Sequence, residues 1–250
     1  LQHQKFLIFL PNHNLYLIPF YKISCNILIM FITYQQTSEQ SYLLNYGEEI
    51  NIDTNIKVLY HFEYLINKKF EYIYNVVPSF NKLLIEYDIN FKKNVVDLIE
   101  KLKQINGYHV KKSNQYLIPI CYDEEYALDY KRVENSFSMN FDDFVNFHSS
   151  NIFHIFMLGF MPGLPFLGLL NINKSLPRLD SPRISIPAGS VGVVDKLTVI
   201  YPNKSSGGWN IIGRTNFKLF NEINNEPITN PGDTVKFKAI SKKEFNKNDK

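Results

Sequence analysis

Eight of the eleven glycines fall between Gly159 and Gly213, and no other feature constrains the fold so strongly. Over those residues the chain is a series of short apolar stretches, each cut off by Gly or Pro. The spacing predicts short strands joined by tight turns, hence a β-barrel or sandwich. No repeat at a fixed period is visible. Around this segment the 250 residues are ordinary for a globular chain, with 45% hydrophobic and 20% charged residues. That composition excludes a disordered chain, a collagen-like fibre and a low-complexity scaffold. The net charge of +3 is small and spread along the chain, which argues against a nucleic-acid partner. Cys25 and Cys121 form no CxxC and too few ligands for zinc, so reduced thiols in a cytoplasmic protein are expected.

Residues 1–29, LQHQKFLIFLPNHNLYLIPFYKISCNILI, precede the first methionine, Met30. Their apolar runs are broken by Pro11, Asn12, His13, Asn14, Pro19 and Lys22, whereas a spanning helix needs about 20 nearly uninterrupted apolar residues. They read as an upstream extension outside the fold, with a poor membrane anchor as the other reading. No membrane partner is expected.

Residues 30–112 read as a small α/β domain. Strands are expected at Ser41–Tyr46, Tyr72–Val77 and Lys82–Tyr87. Helices are expected at Ile56–Ile66 and at Asn94–Gln104, the second with Val95, Leu98, Ile99 and Leu102 on one side and Gly107 ending it. The order strand, helix, strand, strand, helix is a ferredoxin-like rhythm. The polar connector 105–117 marks the boundary. From there, residues 113–250 open with a short strand at 118–122 and short helices at 129–135 and 143–148, then enter the Gly- and Pro-rich segment. The fold class expected is therefore α+β, a small ferredoxin-like domain followed by a β-barrel or sandwich domain.

Candidate chemistry gathers between residues 148 and 214. The run GFMPGLPFLG, 159–168, is either a loop that lets backbone approach a ligand or a barrel loop shaped by packing. Arg178 and Arg183 each follow a proline. They read as a rigid cationic pair suited to carboxylate or phosphate, or as surface residues bridging to neighbours such as Asp180. Around Gly189 and Ser190 the small residues of IPAGSVGV offer backbone N–H groups and a hydroxyl as an anion nest. With no GxSxG elbow, Ser190 reads as a holder of anions rather than a nucleophile. The single tryptophan, Trp209, follows Gly207 and Gly208 and is a platform or a core plug. Arg214 is expected to complete a cationic pocket with Arg178 and Arg183. Of the two nearby histidines, His154 reads as structural and His148 as the candidate for acid/base work. No metal-ligand spacing occurs, and no metal site is expected.

Taken together and in order, GFMPGLPFLG, PRLDSPR, IPAGSVGV, YP, GGW and IGRT resemble the KipI / allophanate hydrolase subunit 1 family. IPICYDEEYALDYKRV, 118–133, and LLNYGEEI, 43–50, extend the resemblance, which runs from about Met30 to Phe220. The chain departs from the family's usual pattern at Ser206, where proline precedes GGW, at Leu164, where PGF is common, and over 195–200, where the turn before YP is small and polar.

The resemblance implies a cyclophilin-like barrel of the carboxyltransferase subdomain C/D type. It also implies a part in ATP-dependent opening of 5-oxo-L-proline to L-glutamate, as a B-type subunit working with A-type and C-type partner subunits. The cofactor implied is ATP, shared with those partners and carried with Mg. Arginines and backbone N–H groups suit the charge that develops on phosphate. His148, Arg178, Arg183, Ser190, Tyr201, Trp209 and Arg214 all fall on motif positions. Two other readings stay open: a KipI-type inhibitor of a sensor histidine kinase, and a carboxyltransferase or allophanate-hydrolase module.

Overall fold

The computed structural model describes residues 32–105 and 113–247. The 1–29 extension and the helix stop at Gly107 lie outside the described residues.

The first lobe is a four-stranded antiparallel sheet under two helices. β1 (Thr33–Ser38) and β2 (Ser41–Asn45) form a hairpin. α1 (Ile52–Lys68) starts where the Asn51 side chain accepts the Thr54 amide at 2.8 Å, the exchange that satisfies an otherwise orphaned N-terminal amide. It stops at Lys69 in the left-handed conformation. β3 (Ile73–Pro78), β4 (Lys82–Tyr87) and α2 (Lys92–Lys103) follow, giving the sheet order β1-β2-β4-β3. In β4 the alternate residues Leu83, Ile85 and Tyr87 are buried, the period-2 pattern of a half-covered sheet. α2 buries Val95, Leu98, Ile99 and Leu102 against the same cluster, the stripe that three- and four-residue spacing places on one helix face. The expected order is present, and β1 is an addition to it. TYQQTS is exposed along nearly all its length and carries no apolar alternation from which to recognise it.

The second lobe is the expected barrel. β5 (Gln115–Cys121) begins inside the residues expected as connector. Then come α3 (Tyr130–Phe137), α4 (Phe141–Ser150), β6 (Ile152–Leu158), β7 (Pro165–Gly168), β8 (Arg183–Ile186), β9 (Ser190–Val194), β10 (Leu197–Ile200), β11 (Ser205–Gly207) and β12 (Asn210–Arg214). The short pair β13 (Phe220–Asn221) and β14 (Glu226–Pro227) precedes β15 (Thr234–Ile240) and α5 (Lys242–Lys247). Seven strands close in the order β10-β7-β6-β15-β5-β12-β9. Among the barrel's neighbouring strands, only β5 and β15 run parallel. β8 and β11 pair as a separate ribbon outside the barrel. Ile118, Ile120, Phe153, Ile155, Val191, Val193, Ile212 and Phe237 fill a core that is completed by Val133 and Phe137 of α3 and Phe144 of α4. That core decides the fate of His148.

Candidate functional site

His148 lies one helical turn after Phe144 on α4, and both are buried. The ring sits 4.9 Å from both Phe153 and Phe237. Its Nδ1 is 2.8 Å from the Tyr122 hydroxyl and its Nε2 is 3.2 Å from Thr198 Oγ1. Tyr122 donating to Nδ1 and Nε2–H donating to Thr198 satisfies all three groups with a neutral ring. Burial lowers the His148 pKa to about 3 and raises that of Tyr122 well above the usual phenol value, because charge is disfavoured in an apolar core. The residue expected for acid/base work is thus placed in the barrel core, with both ring nitrogens partnered.

Arg183 is also accounted for. Its Nη1 and Nη2 donate to the two carboxylate oxygens of Asp129 at 2.9 and 2.8 Å. Asp129 stands at the N-terminal boundary of α3, is 5% exposed at its side chain, and also accepts the Ile211 amide at 2.7 Å. The expected surface partner, Asp180, is not the one used. A guanidinium whose fork is filled by a carboxylate has little left for a phosphate. Arg214, meanwhile, donates its Nε to the Ala188 carbonyl at 2.9 Å. Among the described residues no contact joins it to Arg178 or Arg183.

The expected anion nest is closed as well. Gly189 has φ +79, and a Cβ there would stand 2.0 Å from the Thr215 carbonyl oxygen, so only glycine fits. The Gly189 amide donates to Tyr201 O at 2.7 Å and the Ser190 amide to Pro187 O at 3.3 Å. Ser190 is buried. These N–H groups hold the turn into β9 against neighbouring backbone and are not free for a ligand.

What the fold does bring together is Arg178, Tyr201, Gly207, Gly208 and Trp209. Arg178 is exposed, and its guanidinium carbon stands 5.7 Å from the centre of the Trp209 ring, within cation–π range. The Leu179 amide donates to Gly208 O at 2.8 Å, and Asn210 Nδ2 donates to Pro177 O at 2.9 Å. The segment carrying Arg178 is thus tied at both sides. Tyr201 lies beneath: a Cβ on Gly207 would come within 2.5 Å of its hydroxyl, so the glycine lets β11 pass over the ring. Burial raises the Tyr201 pKa, with Arg178 and a backbone hydrogen bond from Trp209 pulling the other way. Trp209 itself is 7% exposed and packs with Leu164, Ile186, Val199 and Ile211. It is both core plug and platform, with Arg178 above it.

Sequence reasoning missed Asp129, Asn210 and Phe166. Asp129 carries the one local signal, its place before α3; its partner lies 54 residues away. An open cavity of about 390 Å³ on the outer side of β5 and β15, lined by Leu117, Pro119, Lys238, Ile240, Glu244 and Lys247, contains none of the expected residues. Among the described residues no three His, Cys, Asp or Glu are grouped to hold a metal ion. None of their helices is long and apolar enough to cross a membrane.

This architecture, a closed barrel with a small α/β lobe, is that of a carboxyltransferase-type domain. The family described as carboxyltransferase domain, subdomain C and D, matches residues 32–230, and the chain belongs to it. The B subunit of 5-oxoprolinase from Bacillus subtilis (strain 168) is 32% identical over 232 residues, covering 86% of this chain and 97% of that protein. The corresponding 5-oxoprolinase B subunit of Haemophilus influenzae is 35% identical over 173 residues, covering 66% and 78%. Among solved structures, TTHA0988 superposes with a TM-score of 0.70 at 28% identity over 81% of this chain. The match spans only 40% of the TTHA0988 chain. The Kluyveromyces lactis urea carboxylase reaches a TM-score of 0.71 at 18% identity, over 86% of this chain and 22% of that one; at that identity the likeness is one of fold.

Proposed function

We propose that the chain is the B subunit of a 5-oxoprolinase, opening 5-oxo-L-proline to L-glutamate with ATP hydrolysis in a complex with A and C subunits. The observation that carries this reading is the match to the Bacillus subtilis protein along 97% of its length. An unstrained lactam is a poor electrophile, and phosphorylation of its oxygen is what ATP would supply. This chain's own contribution is Arg178, an exposed cation held over Trp209, suited to a carboxylate or a phosphoryl oxygen. The Gly189 and Ser190 amides, the fork of Arg183 and the Nε of Arg214 are already engaged by neighbouring groups of this chain. ATP, carried with Mg, is taken as shared with the partner subunits, in a cytoplasmic complex. The same reading takes residues 30–112 as a ferredoxin-like domain, supported by the order β2-β4-β3, and 113–250 as a cyclophilin-like barrel domain.

The test is glutamate release from 5-oxoproline and ATP by the A and C subunits with and without this chain. Release that requires the chain, and that falls when Arg178 is replaced by Ala, supports the assignment. Equal release without it rejects the assignment, and inhibition of a sensor histidine kinase is then the reading to measure.

A further inference from the structure

The β3–β4 turn of the first lobe is locked onto the barrel wall. Asn55 of α1 sends Nδ2 to the carbonyls of Ser79 and Phe80 in that turn, at 3.0 and 2.8 Å, and to Phe156 of β6, at 3.1 Å. Its Oδ1 accepts from His154 Nε2 at 2.7 Å, which fixes the neutral tautomer of a buried ring whose pKa burial lowers to about 4. Ser79 Oγ adds a contact to Met157 Sδ at 3.3 Å. The clamp drives the Phe80 ring between two barrel residues. It lies 5.5 Å from Phe156 and meets Phe166 edge-on at 5.7 Å. Phe166 in turn meets Trp209 edge-on at 5.9 Å, and Trp209 carries Arg178.

From this continuous line of rings we propose that Phe80 is a positioning residue for Trp209, acting through Phe166, so that the first lobe sets the platform beneath Arg178. Close-packed interiors pass displacements on rather than absorbing them, and edge-on aromatic pairs hold a defined geometry. Only the functional importance of the platform rests on the 5-oxoprolinase reading; the mechanical coupling does not.

Trp209 is the single tryptophan of the chain, so fluorescence excited at the red edge, where tyrosine is silent, reports on that ring alone. In the full chain, Phe80→Leu is expected to red-shift the emission and raise the acrylamide quenching constant. Phe166→Leu should do the same, and the double variant should shift no further than Phe166→Leu alone. Phe80→Tyr should restore the wild-type spectrum. Phe70→Leu loosens the same lobe beside Tyr64 and Tyr72 and should leave Trp209 unmoved. The proposal is overturned if Phe80→Leu leaves emission and quenching unchanged, if the two shifts simply add, or if Phe70→Leu moves Trp209 equally. Glutamate release by the assembled complex separates the two layers. A spectral shift with undiminished release keeps the coupling and removes the platform from catalysis.

Discussion

Arg183 and Asp129 meet fork to fork, Nη1 donating to Oδ2 and Nη2 to Oδ1, and the same carboxylate accepts the Ile211 amide. One acidic side chain thus ties the outer β8–β11 ribbon to the start of α3 and to β12. Asp129→Ala leaves a largely buried guanidinium without its counter-charge and an amide without an acceptor, and should cost about 3 kcal/mol. Asp129→Asn keeps an acceptor for the amide and should cost about half of that. Urea unfolding measures both. Equal stability of the Ala variant and wild type would show that the pair is replaced by solvent.

Arg178 and Arg183, five residues apart and alike in sequence context, should separate cleanly. Arg178→Ala removes an exposed side chain with one cation–π contact, worth about 0.5–1 kcal/mol. In the assembled enzyme it should lower kcat by about a hundredfold, the scale of losing one charge-stabilising donor. Arg183→Ala should do the reverse, costing stability first. Unfolding curves and glutamate release on the same two proteins decide it. An active, stable Arg178→Ala protein would remove the residue from the site.

Two glycines of the motif region should respond differently to alanine. At Gly189 the positive φ and the Thr215 carbonyl at 2.0 Å forbid a Cβ, so Gly189→Ala should cost more than about 3 kcal/mol or prevent folding. At Gly208 the nearest atoms to a new Cβ, on Leu179 and Pro182, lie at 3.7 Å. Gly208→Ala should therefore stay within about 1 kcal/mol of wild type. Thermal midpoints of the two variants are the measurement.

How far the sequence could be read follows from how local each signal is. The stripe of α2 and the alternation of β4 are patterns inside one element, and both strand and helix lie where the periodicity puts them. The dense glycines between 159 and 213 point to short strands in a barrel or a sandwich because turn chemistry is also local. The site was less legible because its decisive contacts are not. Asp129 reaches Arg183 across 54 residues, and the Gly189 amide is taken by Tyr201. A cation and an amide that look available in sequence are thereby used up by the fold. His148 is the exception, since its spacing of four from Phe144 already placed it on the buried stripe of α4; the weight given to histidine chemistry hid that signal.

That burial makes a prediction about acid. His148 is held with its pKa near 3 by the core, and burial likewise lowers His61 and His154 to about 4, whereas an unfolded chain titrates histidine at about 6.5. The unfolded state therefore binds more protons below that value. The sign is fixed: the stabilisation is whole above pH 6.5 and is lost as the pH falls from 6.5 toward the folded values. For His148 alone the loss by pH 5 is about 2 kcal/mol, a large share of a typical domain's stability. Carboxylates add their own slope, so the comparison that isolates the ring is wild type against His148→Gln, whose amide bridges Tyr122 and Thr198 without titrating. Between pH 7 and pH 5 the unfolding free energy from urea titration should fall less steeply in the variant, by up to about 1.4 kcal/mol per pH unit. Parallel slopes in the two proteins would mean that His148 takes up its proton in the folded state, and that the barrel opens to water at its centre.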